Sequence, residues 1–349
     1  MTKTGRNYSL DLVRITAALA VVMIHVSAGF VKSFEITTDE FQIANILDSL
    51  SRIGVPLFVM ISGSLFLDEN RKLNTKNIYI KNIKGILVLL FAWSLIYSTV
   101  FNIIMPLMED KTVDIGEFLK DFVLGHYHMW YLYMIAGLYA MTPFLRQFVK
   151  KKNKKLIQLF LVVAVCAQFF IPILQGLSDF VPKVSILVTL VNRFKLNFFG
   201  GYTVYYVLGW YVIHIGFKAW QKRIVIITSI LSLLLTIFYV SVTKDYKNGY
   251  SNLNLFILLY ASGMLQLLLS LIKDEPNRKV KKALILLSRM SFGVYIIHPM
   301  LITIAKLIVP YHAQPLRYML LLYIVVVFVS FLICYLFSKM PLVRKLVRM

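Results

Sequence analysis

The chain has 349 residues, of which 59% are hydrophobic and 15% are charged, and its formal net charge at pH 7 is +22. Such an apolar composition excludes an ordinary soluble globular protein and favours a protein embedded in a membrane. The basic pI, near 9.9, would suit a nucleic-acid-binding protein, but the basic residues form short clusters between apolar runs. We interpret these clusters as anchors that face anionic membrane lipids, and we expect no nucleic-acid partner.

Apolar runs of roughly 20 residues succeed one another along the chain. A helix that rises about 1.5 Å per residue needs that length to cross a hydrocarbon core of about 30 Å. The sequence therefore predicts an all-α, polytopic membrane helix bundle that forms a single integral domain over residues 1–349. Arg193 and Lys195 interrupt apolar sequence that lies before the sixth run, so the helix of this run could begin earlier. The ten predicted spans are 9–31, 51–67, 78–107, 128–149, 156–175, 202–217, 224–243, 252–272, 284–309 and 318–338.

The distribution of Lys and Arg between the runs predicts the orientation of the bundle. If the N-terminus is cytoplasmic, most of the 38 Lys and Arg residues fall on the inner side, together with the whole net charge of +22. Cytoplasmic loops of membrane proteins carry this excess of basic residues. The sequence therefore predicts a multi-pass protein of the plasma or inner membrane with both termini in the cytoplasm.

The first run contains the segment LDLVRITAALAVVMIH, in which two ionisable side chains interrupt apolar sequence. Arg14 and His25 are eleven residues apart, which at about 100° per residue places them on one helical face about 16 Å apart. Ala18 and Val21 lie between them on that face, and their small size predicts room for a thin ligand. Alternatively, Arg14 pairs with Asp11 or reaches the inner surface, and His25 bonds to a neighbouring helix.

Two later segments place polar side chains at the ends of predicted spans. SRIGVPLFVMISG puts Arg52 near the outer start of the second span, as an interfacial anchor or a functional group, and Ser62 toward its inner end. GHYHMWYLYM puts His126, His128 and Trp130 where the fourth span enters from outside. Trp at this depth usually belongs to the aromatic belt of a membrane protein, whereas a histidine there is less easily explained.

The ninth span contains the segment LLSRMSFGVYIIHPM. Ser291, Tyr295 and His298 recur at i, i+4 and i+7, so they share one helical face. Pro299 lacks an N–H group and therefore frees a backbone carbonyl of the preceding turn. His298 is either a functional group or a side chain that satisfies this opened backbone.

Five segments together resemble the acyltransferase-3 family of membrane O-acyltransferases. They are LDLVRITAALAVVMIH with its R-x10-H spacing, VPLFVMISGSLF, HMWYLYMIAGLYAMTPFL, YYVLGWYV and SFGVYIIHPMLI. The combination looks most like the stand-alone branch that includes the enterobacterial common antigen O-acetyltransferase, without a fused hydrolase-like domain. The resemblance implies transfer of an acyl group, by default acetyl, from cytoplasmic acyl-CoA to a hydroxyl of a cell-surface or lipid-linked glycan.

On this interpretation Arg14 and His25 are the catalytic residues. Arg14 would position the donor, and His25 would act as general base because its ordinary pKa lies nearest neutrality. An acyl-histidine intermediate remains an alternative. No metal and no permanently bound cofactor is expected, since acetyl-CoA is a co-substrate, and a transporter of a glycan, lipid-linked sugar or ion is the competing function. The expected substrate-binding residues are Arg52, His128, Tyr295, His298, Trp130 and Ser62.

Overall fold

The computed structural model describes residues 6–167, 186, 188, 189, 193, 200–272, 275–308, 315–341 and 343–347. These residues form helices joined by short turns, and none of them lies in a β-strand. The predicted all-α fold class is confirmed. The helices are α1 Tyr8–Ser33, α2 Asp39–Ser51, α3 Gly54–Phe66, α4 Thr75–Met108, α5 Ile115–Leu124, α6 Trp130–Phe148, α7 Lys154–Val165, α8 Tyr202–His214, α9 Ala219–Thr243, α10 Leu255–Leu271, α11 Arg278–Ile308 and α12 Pro315–Lys339.

Six helical segments in the described part of the chain are long and apolar enough to cross a membrane. They correspond to six of the ten predicted spans: α1, α2 with α3, α4, α9, α11 and α12. The predicted run 202–217 is covered by α8, which has 13 residues, and the run 252–272 by α10, which has 17. The run 156–175 extends beyond the described residues. Ten spans and cytoplasmic termini are therefore not confirmed.

The second membrane-crossing segment begins earlier than the sequence indicated. Its first part, α2, starts after Thr38, whose side-chain oxygen accepts a hydrogen bond from Phe41 N and caps the helix. Arg52 and Ile53 form a turn between α2 and α3. Arg52 therefore lies directly before α3 and inside the 28-residue segment Asp39–Phe66, and its place at the outer start of a span stays a prediction.

The chain divides into two compact units. The first unit comprises Met1–Lys72 and Thr142–Lys281. Within it α3 packs along α8, α9 along α10, and α1 against both α2 and α3. Gly63 of α3 and Gly209 of α8 lie where the two helix backbones meet, since a Cβ atom on either would overlap the other helix. Small residues at such crossings are typical of helix packing inside membranes.

The second unit comprises Leu73–Met141 and Lys282–Met349. Helix α4 runs through it and contains two π-helical stretches, Ile78–Ile83 and Val100–Ile104. Next to the latter, Asn102 Nδ2 donates a hydrogen bond to Asp121 Oδ2 of α5 at 3.0 Å. Stretches of π-helix often occur at functional sites, and this one lies next to Tyr97, which contacts a cluster of histidines described below.

Candidate active site

The N-terminal end of α1 concentrates charge around one buried carboxylate. Asp11, only 3% exposed at its side chain, accepts two hydrogen bonds from the Arg6 guanidinium, Nε at 2.7 Å and Nη2 at 2.9 Å. Arg14 Nη1 approaches the same carboxylate at 3.7 Å, with a third of its side chain exposed. The alternative in which Arg14 pairs with Asp11 is therefore observed, but one carboxylate serves two guanidinium groups. Two guanidinium groups and one carboxylate therefore meet at this end of α1.

The face of α1 that runs from Arg14 to His25 is narrower than expected. Arg14 and His25 are both partly exposed. Between them, Ala18 and Val21 are buried. Gly54 at the start of α3 packs against this face, because a Cβ atom there would lie 2.8 Å from Val21 Cγ2. The expected room for a ligand is therefore filled by α3 beside Val21, and access to the two polar residues remains at the ends of the face.

Arg52, predicted as a substrate-binding residue, is held inside the first unit. Its guanidinium forms an ion pair with Asp48, whose side chain is fully buried. The same guanidinium lies 4.1 Å from the centre of the Tyr250 ring, a cation–π contact. Asp48 also accepts a hydrogen bond from Ser27 Oγ of α1 at 2.9 Å. These contacts fasten α1 and Tyr250 to the turn between α2 and α3.

The contacts of Arg52 continue into a buried polar network. Tyr250 OH donates to Asn45 Oδ1 at 2.6 Å. Asn45 Nδ2 in turn donates to Ile237 O at 3.0 Å and to Ser241 Oγ at 2.8 Å, both on α9. The sequence interpretation missed Asp48 and Asn45 because it treated residues 32–50 as a loop. The only available signal was the cap sequence TDEFQ at the start of α2.

Ser62 lies on α3 and is partly exposed. Its hydroxyl makes no hydrogen bond with any residue in the described part of the chain. The structure brings it together with none of the other predicted substrate-binding residues of the first unit, and its role stays a prediction.

In the second unit, three predicted substrate-binding residues lie together. Tyr295 OH donates a hydrogen bond to His128 O at 2.7 Å. The His128 ring centre lies 5.6 Å from that of Tyr295 and 5.8 Å from that of His298. All three side chains are buried. Trp130, the fourth predicted residue here, is 40% exposed, as expected of an aromatic belt at the membrane surface.

His126 extends this cluster through a direct contact between imidazoles. Its Nδ1 lies 3.0 Å from His128 Nδ1. Burial lowers the pKa of His126 to about 4, so this ring is neutral near pH 7. One Nδ1 of the pair must then carry a hydrogen while the other accepts it. Three or more His, Cys, Asp or Glu side chains suitably placed for a metal ion are not found among the described residues.

Tyr97 of α4 is a central residue of this cluster that the sequence interpretation missed. Its ring stacks on His126, with ring centres 4.5 Å apart. Its hydroxyl donates to Ile296 O at 2.8 Å and accepts from Met300 N at 3.3 Å. The hydroxyl thus replaces a direct i to i+4 backbone bond in α11 beside Pro299, where the helix is opened.

His298 contacts the backbone of its own helix, but at Val294 O and not at Tyr295 O, the carbonyl that the missing N–H of Pro299 frees. Its Nδ1 lies 3.2 Å from Val294 O, the carbonyl one turn earlier. Such a contact orients the ring and leaves Nε2 as its other polar atom.

The chain also matches a known protein family over nearly its whole length. The model of the acyltransferase-3 family, described as an acyltransferase domain, covers residues 7–339. It includes Arg14, His25 and the histidine cluster of the second unit. The chain belongs to the acyltransferase-3 family. Comparison with curated proteins and with solved structures finds no match. The match confirms the predicted family and does not single out the enterobacterial common antigen branch.

Membership of the acyltransferase-3 family and the six apolar helices make this chain a membrane acyltransferase. The family match includes Arg14 and His25, the residues that carry the R-x10-H spacing on α1. It also includes the histidine cluster of the second unit. Each cluster contains a group that can hold or move a proton, which is what transfer of an acyl group to a hydroxyl requires.

Proposed function

We propose that this acyltransferase moves an acetyl group from cytoplasmic acetyl-CoA to a hydroxyl of a cell-surface or lipid-linked glycan at the plasma membrane. The observation that carries the proposal is the family match over residues 7–339. Its R-x10-H residues, Arg14 and His25, are both partly exposed on an otherwise mostly buried helix. Ionisable groups in membrane helices usually mark a functional site, because they are costly to keep there.

In this proposal His25 is the general base. Its neutral imidazole takes the proton of the acceptor hydroxyl as the oxygen attacks the thioester carbonyl. The tetrahedral intermediate then collapses, its C–S bond breaks, and the thiolate leaves with the proton returned by the imidazolium. The products are the glycan ester and free coenzyme A. In the alternative, His25 attacks the thioester itself: an acyl–nitrogen bond forms as the C–S bond breaks and the thiol leaves, and the acceptor hydroxyl then displaces the imidazole to give the ester.

Arg14 would bind the donor in this scheme. Arg6 already donates two hydrogen bonds to Asp11, while Arg14 approaches the shared carboxylate only at 3.7 Å. A guanidinium at this distance from Asp11 can turn toward a phosphate or a thioester carbonyl while Arg6 keeps the carboxylate paired. Arg14 is therefore suited to an anionic or polarised ligand group.

The histidine cluster of the second unit would serve the acceptor. His128 and Tyr295 are buried, and the Tyr295 hydroxyl donates a hydrogen bond to His128 O. Their positions are therefore fixed before substrate binds. Tyr295 donates its one hydroxyl hydrogen to His128 O, so the His128 ring is the group of this pair that can contact the acceptor. Trp130 and Ser62 are proposed only as contacts of the acceptor. Arg52 is proposed to shape the acceptor site through its ion pair with Asp48.

The proposal is tested with purified full-length protein in lipid nanodiscs, acetyl-CoA and a candidate glycan. Release of free thiol is expected from the wild type, and His25→Ala and Arg14→Ala should each reduce it by about a hundredfold or more. Lys32→Ala is the matched control, since this basic residue lies exposed in the last turn of the same helix. Wild-type turnover by His25→Ala at equal protein abundance would exclude His25 as the base.

A transporter is the second candidate function, and one observation favours it. The membrane-crossing segment Asp39–Phe66 is interrupted at Arg52 and Ile53, next to the buried pair of Arg52 and Asp48. Interrupted helices with buried charge form substrate sites in many transporters. A transporter would carry a glycan, lipid-linked sugar or ion without releasing thiol from acetyl-CoA, so the thiol assay distinguishes the two functions.

A further inference from the structure

The helical structure of the second unit is interrupted at Gly125–Met129, between α5 and α6. Two tyrosine hydroxyls bond to carbonyls on either side of this interruption. Tyr133 OH donates a hydrogen bond to Val123 O at 2.6 Å, and Tyr295 OH donates one to His128 O at 2.7 Å. These bonds satisfy and fix the backbone here, so the histidine side chains are not needed for that purpose.

His126 is the residue of this interruption with a polar atom still to be used. Its ring packs against those of Tyr97 and Phe101 on α4, with ring centres 4.5 Å and 5.2 Å away. One hydrogen lies between its Nδ1 and His128 Nδ1. The Nε2 atom of His126 makes no hydrogen bond with any described residue, and the ring is partly exposed. This nitrogen is therefore placed to bond to a ligand.

A second polar atom beside this ring also has no partner. Ser98 follows Tyr97 on α4, is 2% exposed, and its hydroxyl makes no hydrogen bond within the described part of the chain. One turn before it, Ser94 Oγ contacts Met129 Sδ at 3.6 Å, and one turn after it Asn102 bonds to α5. Ser98 therefore faces the interruption. A buried hydroxyl left without a partner is unfavourable, which indicates that a polar group binds here.

The groups around the interruption suit a sugar. The imidazole of His126 is neutral near pH 7, so it attracts no anion by charge. A hydroxyl both donates and accepts, so it can bond to Nε2 wherever the hydrogen shared with His128 lies. Tyr127, which is 58% exposed, and the partly exposed Phe101 add aromatic surface next to this nitrogen. A few polar atoms on an aromatic wall are typical of sites for neutral small molecules.

The charge beside the interruption disfavours an anionic sugar. Residues 109–121, which lead to it, contain five acidic residues and two basic ones, a net charge of −3 in a chain of +22. Asp121 acts electrostatically on His126. The nearest basic residue along the chain, Lys120, forms an ion pair with Glu117 at 2.9 Å. A carboxylate or phosphate on a ligand of His126 would therefore be repelled by Asp121.

We propose that this interruption is a sugar subsite, in which His126 binds a hydroxyl and Asp121 selects neutral sugars over anionic ones. The inference rests on the proposed function for the statement that the sugar belongs to the acyl acceptor. Recognition of a neutral sugar itself rests on the contacts of His126, Ser98 and Asp121. The two can therefore fail separately.

The test compares two probes, methyl β-D-glucopyranoside and methyl β-D-glucuronopyranoside, which share a ring and differ by one carboxylate. Their binding to the full-length protein in phosphatidylcholine nanodiscs at low salt is measured by saturation-transfer NMR. The wild type should bind the neutral glycoside with a Kd about fivefold lower than that of the glucuronide. Asp121→Asn should reduce this ratio to about twofold or less, because it removes the charge while its amide oxygen still accepts from Asn102.

Asp114→Asn is the matched control for charge. Asp114 caps the other end of α5, and asparagine caps a helix equally well. Because this carboxylate lies about two helical turns from Asp121, its removal should leave the preference for the neutral glycoside within about twofold of wild type.

His126→Phe tests the hydroxyl contact. It keeps a ring against Tyr97 and loses both nitrogens, so the Kd for the neutral glycoside should rise about tenfold. His214→Phe is the matched control, since His214 is also a partly exposed histidine stacked on an aromatic ring, that of Trp210, but lies in the first unit. Its Kd should stay within about twofold of wild type. Thermal midpoints show whether the variants are folded, and if His126→Phe is not, the wild-type ratio and its loss in Asp121→Asn still decide.

Four results would overturn the proposal. The first is no binding of either glycoside by the wild type, and the second is binding of the glucuronide as tightly as the neutral glycoside. The third is an unchanged Kd in folded His126→Phe, which would place the sugar elsewhere. The fourth is an equal effect of Asp114→Asn and Asp121→Asn, which would mean a diffuse charge effect of the whole segment.

The outcomes also separate this inference from the proposed function. Thiol release that depends on His25 and is equally fast with neutral and anionic acceptors would overturn the subsite and leave the acetyltransferase intact. Binding of the neutral glycoside that depends on His126 and Asp121, in a protein that releases no thiol with any acceptor, would support the subsite and remove the acetyltransferase.

Discussion

Two arginines of the first unit show how differently the same side chain is used within one membrane protein. Arg14 is partly exposed and shares the carboxylate of Asp11 with Arg6. Arg52 is 15% exposed and has the fully buried carboxylate of Asp48 as its ion-pair partner. The first arrangement places two guanidinium groups beside one carboxylate, whereas the second pairs one guanidinium with a buried carboxylate.

The difference follows from the number of partners that each carboxylate has. Asp11 lies in the first turn of α1 beside a preceding basic residue, so two guanidinium groups compete for it. Asp48 lies in the middle of a buried surface, where Ser27 and Arg52 complete its contacts. A charge that is fully paired inside a protein is suited to holding helices together. Two guanidinium groups that share one carboxylate at a helix end are suited to binding an anionic group.

The largest expected effect is on stability, at Asp48. Asp48→Ala leaves the Arg52 guanidinium buried without its carboxylate, and breaking such a pair costs about 3–5 kcal/mol. Unfolding in detergent, followed by denaturant titration, measures the loss. The double variant Asp48→Leu with Arg52→Met is the control, and it should recover most of the loss because no buried charge remains unpaired. A stable Asp48→Ala variant would contradict the structural role assigned to Arg52.

Arg14 should show the reverse pattern, with a large effect on activity and a small one on stability. Its ion pair with Asp11 is long and partly exposed, and such pairs contribute at most about 1 kcal/mol. Arg14→Ala should therefore unfold within about 1 kcal/mol of wild type while thiol release falls about a hundredfold. Arg14→Lys keeps the charge and loses the planar fork, so partial activity in it would assign charge rather than geometry to Arg14. If Arg14→Ala lost as much stability as Asp48→Ala, Arg14 would have a structural role like that of Arg52, contrary to the proposal.

The sequence predicted the helix that carries Arg14 but not the helix that precedes Arg52, and the reason is physical. Helix α1 was expected over 9–31 and is observed over Tyr8–Ser33, because continuous apolar sequence of that length has few alternatives. Helix α2 was missed because polar residues interrupt the apolar sequence of DEFQIANILDSLS, and Asn45, Asp48, Ser49 and Ser51 among them are buried. They are buried through contacts with distant elements, as Asn45 is through α9. Such long-range partners are not visible in a single sequence.

The same limit applies to the second unit. The spacing of Tyr295 and His298 predicted their shared face, and both contact His128. Tyr97 gave no signal, because a tyrosine in an apolar run is typical of lipid-facing and packed positions alike. Only the fold brings its hydroxyl to the backbone opened at Pro299. Local periodicity therefore predicts which residues share a helix face, but not which other helix they meet.

A smaller effect should separate the two contacts that Tyr250 makes around Arg52. Tyr250→Phe removes the hydroxyl bonded to Asn45 and keeps the ring beneath the guanidinium, which should cost about 1 kcal/mol of stability. Tyr250→Leu removes the ring as well and should cost about 1 kcal/mol more. Denaturant unfolding of the two variants measures the difference. Equal stability of the two would show that the ring contact contributes nothing and that Asp48 alone holds Arg52.

The smallest expected effect tests the competition at Asp11 directly. Arg6→Gln removes the guanidinium that makes the two short hydrogen bonds, so Asp11 becomes the undivided partner of Arg14. Arg14 should then be drawn closer to the carboxylate and become less available to the donor, which raises the KM for acetyl-CoA about two- to fivefold. Lys32→Ala, at the other end of α1, should leave KM unchanged. An unchanged or lower KM in Arg6→Gln would contradict the idea that Asp11 and the donor compete for Arg14.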